Sequence, residues 1–96
     1  MCKEMLELRK ILSERKIEFS DKSYTVGKNF WIHRTMFMIA GHYFLVMNGR
    51  GTIGGFLEQE KFNQGYLELV IDGEDGVGML SAEEVMRRVD ECICHD

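Results

Sequence analysis

The residues able to do chemistry are few and spread along the chain. Gly49-Arg50-Gly51-Thr52-Ile53-Gly54 matches the G-x-G-x-x-G of a dinucleotide-binding loop, follows an apolar segment, and has Asp72 about twenty residues on. Such a loop must open a helix that packs on a parallel sheet. Phe56, Leu57 and Phe62 form a poor stripe for that helix, and a short chain with a hairpin upstream lacks the parallel neighbours. A glycine-rich hairpin loop is the better reading, and no Lys-Ser/Thr follows to make it a phosphate-cradling Walker loop.

Cys92-Ile93-Cys94-His95, with Cys2, holds enough soft ligands for a tetrahedral zinc if the two termini meet. The spacing is not that of paired C-x-x-C ligands, so partly buried thiols at a helix end are expected and no metal is assigned. Asp72-Gly73-Glu74-Asp75-Gly76 begins like a calcium loop with Glu83 at its twelfth position. Val77 stands where the sharp turn requires glycine, which leaves an acidic β-turn. His33 and His42 are the candidate acid–base groups, and neither has a Ser, Cys or carboxylate at a recognised spacing. An enzyme is therefore not expected, nor a cofactor; a small enzyme using His33 or His42 is the third choice.

The remaining constellation is Trp31, His33, Arg34 and Tyr43, with Arg50 in the glycine turn. An aromatic face can stack on a base while a guanidinium neutralises phosphate, so these five are the candidate ligand-binding residues. Strand alternation puts Trp31 and His33 on one face and Arg34 on the other, unless a bulge or a second protomer joins them.

These side chains need a scaffold, and 96 residues at 45% hydrophobic and 29% charged suit one globular domain over 1–96. No window reaches the roughly 18 apolar residues that span a bilayer. Three cysteines are too few and too uneven for a secreted disulfide framework, so a cytoplasmic protein without membrane contact is expected. The net charge of −4 hides an asymmetry: residues 1–50 hold nine Lys/Arg against five Asp/Glu, and residues 51–96 hold three against eleven. An acidic chain without a basic reading helix is a poor duplex-DNA binder.

Met5, Leu8 and Leu12, joined by Ile11, predict a helix over 3–16. Ile17-Glu18-Phe19 suits a short strand and Ser20-Asp21-Lys22-Ser23 a polar turn. The aromatic and β-branched run from Asn29 to Met47 is the centre of the sheet, with Gly41-His42 as a two-residue type II′ hairpin turn. A possible strand follows through Thr52, Ile53 and Phe56, then a polar stretch from Glu58 to Gly65. Tyr66–Ile71 alternates with Glu68 outward, and Val77–Leu80 is a last short strand. Ser81 with Glu84 three residues later is a capping box, opening a helix whose stripe is Ala82, Val85, Met86, Val89 and Ile93. The expected fold class is α+β: a mainly antiparallel sheet of four to six strands flanked by an N-terminal and a C-terminal helix.

A leading Leu8-Arg9-Lys10-Ile11-Leu12-x-x-Arg15-x-Ile17-Glu18 segment, a middle sheet and a closing Ser81-Ala82-Glu83-Glu84-Val85 helix resemble small bacteriophage and prophage α+β proteins. The resemblance implies a host-defence antagonist acting in the host cytoplasm, usually a homo-oligomer. It would either sequester a nucleotide signal or clasp an immune protein. The leading expectation is a non-enzymatic binder of a small nucleotide-like anion, with Arg34 and Arg50 on phosphate and Trp31 or Tyr43 on the base. The alternative is an inhibitor whose acidic C-terminal half occupies the groove of a host defence nuclease.

Overall fold

A computed structural model describes residues 1–26, 30–49 and 65–94. Helix α1 (Lys3–Glu14) buries Met5, Leu8 and Leu12, the stripe that its spacing prescribes. Its end is a Schellman motif: the Lys16 N–H donates to Ser13 O (3.1 Å) and the Ile17 N–H to Leu12 O (2.8 Å). Lys16 takes the left-handed conformation this requires, with φ 60°. Because Ile17 belongs to the helix end, the first strand starts later than its alternation suggested: β1 is Phe19–Asp21. The turn shrinks accordingly, with the Ser23 N–H donating to Asp21 Oδ1 at 2.8 Å, before β2 (Tyr24–Val26) begins.

Strand β3 (Phe30–Ile39) is long enough to pair with both. Its outer half meets β2 (Tyr24 opposite Ile32, Thr25 opposite Trp31) and its inner half meets β1 (Asp21 opposite Thr35, Phe19 opposite Phe37). At the junction Lys22 N–H donates to Arg34 O (3.0 Å), and the Ser23 hydroxyl accepts from Arg34 N–H (3.0 Å). The two strands thus make one kinked edge, joined to β3 across the bend by these two bonds.

Strand β4 (His42–Asn48) returns antiparallel, closed by the Ile39–His42 pair. The turn is one residue earlier than expected. Ala40 and Gly41 carry it with φ of 52° and 82°, and two positive φ values define a type I′ turn instead of II′. That turn matches the right-handed twist of the strands, and it brings His42 into the ladder.

Strands β5 (Leu67–Ile71) and β6 (Val77–Leu80) complete a sheet of order β1-β3-β4-β5-β6 with β2 beside β1 along β3, antiparallel at every pair. Helix α2 (Ala82–Cys94) opens with the expected capping box: Glu84 N–H donates to Ser81 Oγ and Ser81 N–H to Glu84 Oε1, both at 3.2 Å. Among the described residues the α+β architecture, six strands with a helix at each end, is the expected one. The possible strand through Thr52, Ile53 and Phe56 and the polar stretch after Glu58 lie outside the described residues.

Both helices cover the same face of the sheet. Met5, Leu8, Leu12, Val85, Met86 and Val89 close on Phe37, Phe44, Val46, Leu67, Leu69 and Leu80 to form the core. The helices run parallel: Glu4 of α1 reaches the start of α2 at Ala82, and Arg15 reaches Asp90 near its end. Among the described residues no helix is long and apolar enough to cross a membrane.

Candidate functional site

Trp31 and His33 sit two residues apart on β3, so they project from one face, the face that carries the helices. Their rings stack with centroids 5.9 Å apart and planes within 11°. Trp31 is 56% exposed, so its indole is an open planar platform. His33 is half-buried beneath it. Burial, then the positive charges of the Met1 amino group and Arg9, push the imidazole below its ordinary value, with Asp21 opposing. The surroundings of this ring are therefore net positive.

Arg9 is held in place rather than free to move. Its Nε donates to Thr35 Oγ1 at 2.8 Å, one terminal nitrogen donates to Arg34 O at 3.2 Å, and the guanidinium pairs with Asp21 at 3.4 Å. Thr35 is fully buried and its hydroxyl contacts Met5 Sδ at 3.1 Å, so this polar cluster ties α1 to β3 with every group satisfied. The Asp21 carboxyl is held well below the usual carboxylate range by the Ser23 hydroxyl and backbone N–H, with Arg9 adding to them.

Arg34 points to the opposite face. Its guanidinium lies 4.9 Å from the centre of the Tyr24 ring, and its Nε donates to Lys22 O at 2.9 Å. Those contacts fasten the kink between β1 and β2. Tyr43 shares Arg34's face, but it pairs with Met38 while Arg34 pairs with Met47. Four residues of β4, about 13 Å, separate the two. Arg50 lies outside the described residues. Of the five candidates, the structure brings together Trp31 and His33, places Arg34 behind them, and leaves Tyr43 at the other end of the sheet.

His42 has a partner that spacing did not reveal. Its Nδ1 lies 2.7 Å from Asp72 Oδ2, while Asp72 Oδ1 accepts the Tyr43 N–H at 2.7 Å. The His42 bond and then the Tyr43 bond lower the Asp72 carboxyl. Thirty residues separate the pair, yet the β4–β5 register finds it: Phe44 opposite Ile71 puts Asp72 beside Tyr43.

The same geometry bears on two of the motifs. Asp72 follows β5 and stands opposite Tyr43 at the start of β4, while Gly49 lies just past the end of β4, about 20 Å away; the rest of the G-x-G-x-x-G, residues 50–54, lies outside the described residues. Gly49 has a packing reason of its own, since a Cβ there would stand 2.8 Å from Trp31 O and 2.9 Å from Ile32 Cα. Cys2 caps α1 at the end where α2 starts, whereas Cys94 ends α2. With the helices parallel, the thiols lie a helix length apart, about 18 Å. Among the described residues no cluster of three His, Cys, Asp or Glu side chains could hold a metal. No family, curated protein or solved structure matches this chain.

Proposed function

We propose that the protein is a non-enzymatic binder that captures a small nucleotide-like anion at the Trp31–His33 platform. The observation that carries this reading is the exposed, near-parallel indole–imidazole stack in net positive surroundings. An aromatic face of this kind accepts a nucleobase at about 1–3 kcal/mol per stacked ring, and the His33 imidazole, which keeps one ring N–H when neutral, supplies a donor for a phosphate oxygen beside it. Arg34 is reassigned to holding the edge strand, because its contacts with Tyr24 and Lys22 are on the other face. In keeping with the phage-protein resemblance, the proposed role is sequestration of a signalling nucleotide, which would blunt a host defence.

Trp31 is the single tryptophan of the chain, so its fluorescence reports on the platform directly. Titration with a mononucleotide, a cyclic dinucleotide and ADP-ribose should quench or shift that emission saturably for at least one of them. His33→Ala should weaken the response and Arg34→Ala should spare it. No saturable change with any of the three up to millimolar concentration sinks the proposal.

The exposed acids Glu74 and Asp75 of the β5–β6 turn favour a second reading, in which the acidic half docks on a basic groove of a host nuclease. Binding of that kind would weaken steeply with salt and on reversal of these two charges.

A further inference from the structure

On the helix-bearing face of β3, Trp31, His33 and Thr35 follow one another at alternate positions, about 6.8 Å apart. Arg9 of α1 closes the row. Its Nε donates to the Thr35 hydroxyl and Nη2 to the Arg34 carbonyl, so the guanidinium is fixed over the residues next to His33. A phosphate that accepts bonds of about 2.8 Å from two donors spans up to about 8 Å between them. His33 and Arg9 therefore stand within the reach of one phosphate, and Trp31 lies one step further along the strand for the base.

Nη1 is the part of Arg9 left open. Among the described residues it reaches only Asp21, at 3.4 Å, and Nη2 lies 3.4 Å from the same carboxylate. Both distances exceed the roughly 2.7–2.9 Å of a strong charge-assisted bond. The Asp21 side chain is 53% exposed, so an anion can compete for the guanidinium. Asp21 stays in place regardless, because the Ser23 N–H and hydroxyl hold it. Given a nucleotide on the Trp31–His33 platform, as proposed, we infer that Arg9 grips its phosphate and that Asp21 selects a phosphodiester, with one negative charge, over a phosphomonoester with two.

The selection is electrostatic. A carboxylate fixed beside the guanidinium cancels part of the field that attracts an anion, and its repulsion grows with each charge the anion brings. A phosphodiester is a monoanion, whereas a phosphomonoester loses its second proton near about pH 6 and is a dianion at pH 8. His33 does not offset the extra charge. Burial and neighbouring positive charge keep its ring neutral at that pH, which leaves it an N–H donor without a charge of its own.

Cyclic AMP and AMP make a matched test, because they share base, sugar and phosphorus and differ by one charge. Trp31 emission is titrated with each at pH 8 and low ionic strength, where exposed charges are least screened. The wild-type chain should bind cyclic AMP about three- to tenfold more tightly than AMP. Asp21→Asn should erase most of that preference by tightening AMP. Arg9→Gln should weaken both nucleotides at least about fivefold, and Arg9→Lys, which keeps the charge and loses the fork, should fall between. Arg9 also ties α1 to β3, so its variants are compared only where the far-UV circular dichroism matches the wild type; Asp21→Asn, at an exposed carboxylate, tests the selection without them. A preference for AMP, or a preference that Asp21→Asn leaves unchanged, overturns the inference and leaves the platform standing. No saturable response to either nucleotide overturns it too, and overturns the platform with it when a cyclic dinucleotide and ADP-ribose also fail.

Discussion

The carboxylate of Glu4, in the first turn of α1, accepts a 2.8 Å hydrogen bond from the backbone N–H of Ala82, the first residue of α2. Ser81 and Glu84 satisfy each other's backbone N–H groups at the same helix end. Glu4 therefore adds an acceptor from another element to the unpaired donors that open a helix. Glu4→Ala should cost about 1–2 kcal/mol, since it removes a charge-assisted bond and leaves a part-buried N–H exposed to poor solvation. Glu4→Gln, which keeps an acceptor oxygen, should cost less. Urea denaturation of both variants measures the difference.

Lys16 occupies the left-handed position of the α1 Schellman motif, where glycine carries no Cβ penalty. Its side chain is exposed and makes no contact that the motif needs. Lys16→Gly should therefore raise stability by about 0.5–1 kcal/mol, an uncommon sign for a glycine substitution. A drop in the urea midpoint would show that the lysine's own interactions outweigh the relieved backbone.

Asp21 and Asp72 both hold protons more weakly in the fold than as free carboxylates, because donors from Ser23 and Arg9, and from His42 and Tyr43, favour their charged forms. The unfolded chain thus takes up protons first as pH falls. Their stabilisation is complete above about pH 4, the ordinary carboxylate range, and is lost as pH drops toward the folded values. Asp21→Asn should flatten the decline of stability below pH 4. Urea midpoints between pH 2 and 6 would record it, and an unchanged acid limb would count against the assignment.

His33 behaves oppositely toward a ligand. In the free protein burial and neighbouring positive charge disfavour its protonation. A bound anion would reverse the local field and raise its value, so proton uptake accompanies binding. Affinity for a nucleotide should rise as pH falls from the raised bound-state value of His33 toward its lowered free-state value, and His33→Ala should abolish that trend. Trp31 emission at pH 5.5 and 8 provides the measurement.

Local chemistry was legible in the chain and long-range geometry was not. Ser81 and Glu84 declare a helix start because three residues suffice to make both bonds. The β3–β4 turn was misplaced by one residue, since Ala40 adopts a positive φ that its side chain does not advertise. Alternation correctly separated Arg34 from Trp31 and His33, a division that follows from the two-residue period of any strand. The His42–Asp72 pair and the Arg9–Thr35 clamp bridge 30 and 26 positions, and only the strand register or the helix docking brings them together. The parallel course of α1 and α2 was equally hidden, because amphipathic stripes fix which side a helix buries and not the direction it runs.

That parallel course has a kinetic consequence. The contacts tying the helices together join Glu4 to Ala82 and Arg15 to Asp90, spans of 78 and 75 positions. A nascent α1 emerges long before its companion exists, and an isolated helix of 12 residues is marginal in water. The contacts between the two helices can therefore form only once the strands between them and α2 have been made, and closure across so long a separation is slow.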